Sequence, residues 1–182
     1  MRELSLHLLD IAENSVAAGS KTIILAVEEN HQQDRLRIIV IDDGKGMDEA
    51  TSRQVLDPFF TSRTTRKVGL GLPLLKEAAE ACNGSLTLTT SPGKGTRVEV
   101  EFQNSHIDRM PLGDLATTYL NLFIAYPQVH WIMRYAVNDR IFELDDQELK
   151  TELTGIPLTD PDILAFLRRM FTEGINEVRG AN

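Results

Sequence analysis

DPFFTSRTTRKVGLGLPLLKEAAEACNG, Asp57 to Gly84, is the stretch on which the reading of the whole chain turns. A paired aromatic and a short basic loop run into two glycines and then straight into an apolar helix. Glycine ahead of a helix lets the backbone come close to a ligand, and the unpaired amides of the first turn attract anions. Val68 to Pro73, VGLGLP, therefore reads as a phosphate cradle, with an ordinary tight turn as the alternative. Pro73 is tolerated there because its missing N–H would have had no partner in the first turn. Arg63, Arg66 and Lys67, just upstream, place positive charge next to the same phosphates. The apolar spacing predicts a helix from about Leu70 to Cys82, closed by Asn83-Gly84. Cys82 falls on its apolar side and reads as a small core residue.

Upstream, Leu4 to Ala18 has helical periodicity through Leu4, Leu8, Ile11, Ala12 and Ser15, and Gly19 suits the left-handed position that ends a helix. TIILAVEE (22–29) and RLRIIVID (35–42) are β-branched strands joined by a polar turn. A glycine loop, DDGKGM, follows, and then a short helix from Asp48 to Leu56. Downstream, SLTLTTS and TRVEVEF alternate around PGKG and predict a hairpin with one buried face. Residues 1–104 thus read as a mixed sheet with helices on one side, an α+β layer architecture.

Residues 105–182 have a different texture and are expected to form a small α+β unit, either separate or an extension of the first. PLGDLATTYLNLFIAYP (111–127) predicts a helix entered and left at proline, and VHWIMRYAV-ND-RIFEL a hairpin. DDQELKTELTG predicts a short capped helix. The final helix, from Thr159 to Val178, is expected to bury Ile163, Phe166, Leu167, Met170 and Phe171. His130, beside Trp131, reads as a packed or surface histidine rather than a ligand.

Bulk properties bound the functions. Across 182 residues the formal net charge is −8, which argues against coating nucleic acid or an anionic membrane. A single cysteine leaves no disulfide framework or zinc cluster and fits a reducing compartment. The charged N-terminus is no signal peptide, and no apolar run approaches the roughly 20 residues of a membrane span. The expectation is a cytoplasmic protein that binds neither nucleic acid nor membrane.

Two further groups carry chemistry. Asp10 and Asn14, four residues apart, lie on one helix face together with His7. A carboxylate and a carboxamide side by side suit a hydrated magnesium ion, although an exposed polar face would look the same. Asp42 ends a buried strand beside Gly44 and Gly46, where a carboxylate could accept the exocyclic amine of adenine or cap its own turn.

In order, ENS (13–15), DDGKG (42–46), FFTS…GLGL (59–72) and GKGT (93–96) resemble the four boxes of the Bergerat-fold ATP-binding superfamily. That superfamily includes gyrase, heat-shock chaperone ATPases, histidine kinases and mismatch-repair ATPases. The resemblance covers residues 3–103 and looks most like the catalytic domain of sensor histidine kinases. It implies ATP and magnesium as ligands, a Bergerat-type α/β sandwich, Asn14 on the metal and Asp42 on adenine. It also implies Gly44, Gly46 and Met47 shaping the adenine pocket and Thr96 near the purine. Phe60, Thr61, Arg66, Lys67, Val68, Gly69, Leu70, Gly71 and Leu72 would form the nucleotide lid and the start of the phosphate-binding helix. Asp10 stands where hydrolysing members carry glutamate as general base, and Ala17 where sensor kinases carry a basic residue.

SHIDRMPLGDL, Ser105 to Leu115, resembles the phosphoacceptor box of those kinases, which implies His106 as acceptor. A structural use of the same residues, capping the next helix, is the competing reading. Three functions follow as expectations. The favoured one is an ATP-dependent protein histidine kinase in a bacterial signalling or regulatory pathway, acting on His106 or on a protein partner. The others are an ATP-switched binding module and a slow ATPase using Asp10. A homodimer stays open.

Overall fold

Alternation of side chains decides the architecture. In the computed structural model, which describes residues 3–57 and 71–180, Ile23, Leu25 and Val27 of β1 (Thr22–Asn30) point to one face with Leu36, Ile38 and Val40 of β2 (Arg35–Asp42). Val98, Val100 and Phe102 of β4 (Thr96–Gln103) and Trp131, Met133 and Tyr135 of β5 (His130–Val137) continue that face. With β3 (Ser85–Thr90) and β6 (Arg140–Asp145) they make a six-stranded sheet in the order β3-β4-β2-β1-β5-β6. β1 and β5 run parallel and the other neighbours antiparallel. The opposite face carries cross-strand charges, with Arg37 on Glu99 at 3.3 Å and Arg35 on Glu101 at 3.1 Å. The fold is α+β, a mixed sheet under a helical layer.

The helices over the apolar face include α1 (Leu4–Ala17), α3 (Gly71–Ala81), α4 (Leu115–Ala125) and α6 (Pro161–Arg179). α1 packs between α3 and α4, and α4 packs against α6. Leu4, Leu8, Leu75, Tyr119, Phe123, Leu167 and Phe171 join the strand residues in one core. α2 (Glu49–Val55) and α5 (Asp146–Glu152) are short and capped by Asp48 and Asp145. The chain beyond residue 104 adds two strands to the same sheet and two helices to the same layer, and its side chains enter the same core. Among the described residues no helix is long and apolar enough to cross a membrane.

Two expectations need correction. α4 does not start at Pro111. Its N-cap is Asp114, whose side chain accepts from Thr117 N at 2.9 Å. Before it, the carbonyls of Pro111 and Leu112 accept the amides of Leu4 and Ser5 at 3.0 and 2.9 Å, so this segment is a strap that satisfies the open start of α1. On α6 the buried stripe is Leu167, Phe171, Ile175 and Val178, while Phe166 is 43% exposed and Ile163 and Met170 are half-buried.

Candidate functional site

Asp42 sits where three segments meet. β2 ends on it, opposite Thr96 at the start of β4. Its side chain is 8% exposed. Ser15 Oγ, from the last turn of α1, donates to Oδ2 at 2.7 Å, and Gly44 N donates to Oδ1 at 2.9 Å. Ser20, in the α1–β1 turn, holds its hydroxyl 3.2 Å from Oδ1 and 2.7 Å from the carbonyl of Ser15. A carboxylate offers about four lone-pair positions, so this one keeps acceptor capacity at a nearly water-free spot. Capping of its own turn through Gly44 occurs as well, and the two uses are compatible.

The glycine loop is stitched to both neighbours. Lys45 N donates to Ala18 O at 3.2 Å, and Gly93 N donates to Lys45 O at 2.7 Å. Met47 N donates to Thr90 Oγ1 at 2.9 Å, and that hydroxyl lies 3.1 Å from Thr96 Oγ1. Gly46 has a φ of +63°, and a Cβ there would stand 1.9 Å from Ser91 O. The predicted residues Asp42, Gly44, Gly46, Met47 and Thr96 are thus brought together at one end of the sheet. Ser15, Ser20 and Thr90 are added to them. Ser15 was legible as a core-facing helical position and as the last residue of the ENS box, but not as a partner of Asp42, and Ser20 and Thr90 gave no signal.

Asn14 is exposed on α1, and Asp10, one turn earlier, is half-buried beside a groove lined by Leu6, Leu9 and Glu13. Burial raises the carboxyl pKa of Asp10 above its ordinary value. His7 does not share that open face. It is 3% exposed, its Nδ1 has no hydrogen-bond partner among the described residues, and burial lowers its pKa. Gly71 opens α3 as described, buried with Pro73, and Leu72 is half-buried. Phe60, Thr61, Arg66, Lys67, Val68, Gly69 and Leu70, with Arg63, lie outside the described residues.

The Asp10 shift has a testable sign. The folded state holds this proton more tightly than the unfolded chain, so stability falls as pH rises from 3.8 through the raised folded value. Asp10→Asn should therefore raise the melting temperature at pH 7 by about 1–2 °C, discounted for solvent access. The gain should vanish in melts run below pH 3.8.

His106 lies elsewhere. β4 runs from Thr96, opposite Asp42, to Gln103, opposite Arg35. At roughly 3.3 Å per residue these ends are about 23 Å apart, and His106 lies beyond the far one. Its neighbours are engaged in structural bonds of their own. Ser105 donates through N and Oγ to Asp34, each at 2.7 Å, bonds that hold the Asp34 carboxyl below its usual range. Arg109 Nε donates to Asn104 O at 2.6 Å and Nη1 to Met110 O at 2.9 Å. Asp108 N donates to His106 Nδ1 at 3.2 Å. His106 thus stands at the opposite end of the sheet from Asp42.

His130 forms a group of three potential metal ligands with Asp145 and Asp146. Its Nε2 lies 2.8 Å from Asp145 Oδ1, and Lys150 already pairs with Asp146.

Against known proteins, the family model described as "Histidine kinase-, DNA gyrase B-, and HSP90-like ATPase" matches residues 1–106. The sensor protein kinase FleS of Pseudomonas aeruginosa is 42% identical over 88 residues, 48% of this chain and 22% of that protein. The cell-division control histidine kinase PdhS of Brucella abortus is 30% identical over 120 residues, 59% of this chain and 11% of that protein. The chain therefore spans a minor part of these relatives' length. Among solved structures, the ATPase domain of Aquifex aeolicus MutL complexed with ADP superposes with a TM-score of 0.50 at 14% identity, covering 84% of this chain and 68% of that one. The N-terminal domain of a DNA repair protein gives 0.56 at 15% identity, covering 80% and 52%. At such identity these two speak to the fold alone.

Proposed function

The chain belongs to the family of histidine kinase-, DNA gyrase B- and HSP90-like ATPases, and from that premise we propose that it binds ATP with magnesium at the Asp42 end of the sheet. The observation that carries the reading is the buried Asp42 carboxylate, fixed on both oxygens yet with acceptor capacity left for an incoming amine. Asn14 and Asp10 offer hard oxygen atoms on the adjoining helix face, the donor chemistry magnesium takes. When bound, the ion supplies neutralisation of phosphate charge. On this reading Asn14 would hold the ion and Asp42 orients the base, and the Gly71 end of α3 receives phosphate.

The favoured activity is phosphoryl transfer of the histidine-kinase type to a protein partner in a bacterial signalling or regulatory pathway. Identity with sensor kinases supports it, and the distance of His106 from Asp42 favours an acceptor on another molecule. A second reading, slow hydrolysis, is favoured by one observation: Asp10 is a half-buried carboxylate with a raised pKa, a property of general bases.

Incubation with γ-labelled ATP and magnesium separates these outcomes. Free phosphate that disappears in Asp10→Asn marks hydrolysis. Acid-labile, base-stable label on the protein that disappears in His106→Ala marks transfer between copies. Asn14→Ala should abolish both. A chain that takes no label, releases no phosphate and gives no heat with ATP and magnesium in calorimetry removes the reading.

A further inference from the structure

We propose that Ser15 and Ser20 are positioning residues that set the purine selectivity of this site, favouring a 6-amino over a 6-oxo purine nucleotide by aiming Asp42. The inference rests on the reading that Asp42 accepts the exocyclic amine, and it concerns what holds the carboxylate rather than the carboxylate itself.

The holding groups come from three segments: Ser15 from α1, Ser20 from the α1–β1 turn and Gly44 from the glycine loop. Ser15 grips Oδ2 while Gly44 N grips Oδ1, so the carboxylate can neither rotate about χ2 nor tilt without losing a bond. Both serines are buried, at 5% and 7% exposure, so water does not readily replace either hydroxyl.

A fixed carboxylate presents its free lone pair in one direction. On a 6-amino purine an N–H donor stands at the exocyclic position. On a 6-oxo purine that position is an acceptor, and the nearest donor is the ring N1–H, one atom away. A carboxylate able to swing can follow the donor to its new place, whereas one clamped on both oxygens faces an acceptor with an acceptor.

Ser20 adds a second feature. Its single proton serves two acceptors, Ser15 O at 2.7 Å and Asp42 Oδ1 at 3.2 Å. With Gly44 N and the Ser20 hydroxyl both directed at Oδ1 and Ser15 on Oδ2, the lone pair left for an amine is on Oδ2.

The test uses the whole chain with magnesium and measures dissociation constants for ATP and ITP by calorimetry in wild type, Ser15→Ala, Ser20→Ala and the double variant. Wild type should prefer ATP. The double variant should lose about tenfold of the ATP-to-ITP preference, the equivalent of one net hydrogen bond, chiefly through weaker ATP binding. A general loosening of the fold weakens both nucleotides together and does not move the ratio. An unchanged ratio in the folded double variant overturns the proposal. Should the double variant not fold, each single variant reads the same ratio at about threefold. Failure of wild type to bind ATP would instead overturn the reading beneath it, and this inference with it.

Discussion

Asp42→Asn is expected to weaken magnesium-ATP binding by at least about a hundredfold while the chain stays folded. The amide can keep the protein's own bonds. With its oxygen at the Oδ1 position it still accepts from Gly44 N, and its NH2 at the Oδ2 position can donate to Ser15 Oγ, a hydroxyl that accepts as readily as it donates. What it cannot keep is the remaining acceptor capacity. The one amide oxygen has two lone pairs, one taken by Gly44 N and the other facing Ser20, and the NH2 opposes an incoming amine with its own donors. Two buried donors face to face each forfeit a partner, at about 1–3 kcal/mol apiece, and about 2.7 kcal/mol is a hundredfold. Calorimetric titration of the variant with ATP and magnesium reads the affinity, and circular dichroism checks the fold. Wild-type affinity in a folded Asp42→Asn chain would show that the base docks elsewhere.

The residues that make this site differ in how far the sequence announces them. Asp42, Gly44 and Gly46 are legible because motif order adds information that no single motif has; alone, an aspartate ahead of a glycine loop reads equally well as the cap of its own turn. The sheet positions of β1 through β4 follow from alternation of period two, which is a local signal. The pairing of β5 beside β1 in parallel leaves no local trace. Thr22 meets His130 across most of the chain, and nothing in either strand names the other. The same limit explains His7. Helical spacing fixes its angle around the α1 axis, in line with Asn14, but not what lies over each turn, so one is buried and the other open. Pro111 reads as a helix entry because proline is favoured in a first turn. The amides of Leu4 and Ser5, which need the carbonyls of Pro111 and Leu112, are what hold that stretch extended as a strap. The grip of Ser15 and Ser20 on Asp42 was hidden for a different reason: a serine in a helix or a turn has many ordinary roles, and only the position of Asp42 selects one. On α6, the helix end and its cap follow from Asp160 and Pro161, whereas the choice of Ile175 and Val178 over Phe166 depends on which neighbours arrive.

Gly95→Ala should be strongly damaging. Gly95 has a φ of +76°, and a Cβ there would stand 1.8 Å from the carbonyl oxygen of Asp42 and 2.9 Å from Asp43 Cα. Both obstacles are backbone, so no rotamer change relieves them; the β3–β4 turn and the end of β2 would have to part. That separation breaks the Asp42–Thr96 pairing and moves Gly95 O away from Thr90 Oγ1, the hydroxyl to which Met47 N is tied. The glycine loop beside Asp42, the proposed adenine site, therefore shifts along with the loss of stability. Gly93→Ala is the control: its φ is +73°, nearly the same, but nothing lies within 4 Å of its Cβ. It should pay only for the left-handed backbone, about 1–2 kcal/mol, and leave ATP affinity near wild type. Gly95→Ala should pay that and the clash, lowering the melting temperature by at least about 5 °C and the affinity for magnesium-ATP by about tenfold or more. Thermal melts and titrations of the two variants side by side isolate the close approach from the backbone conformation. Equal losses in both would mean that the contact between the turn and Asp42 contributes nothing to holding the pocket.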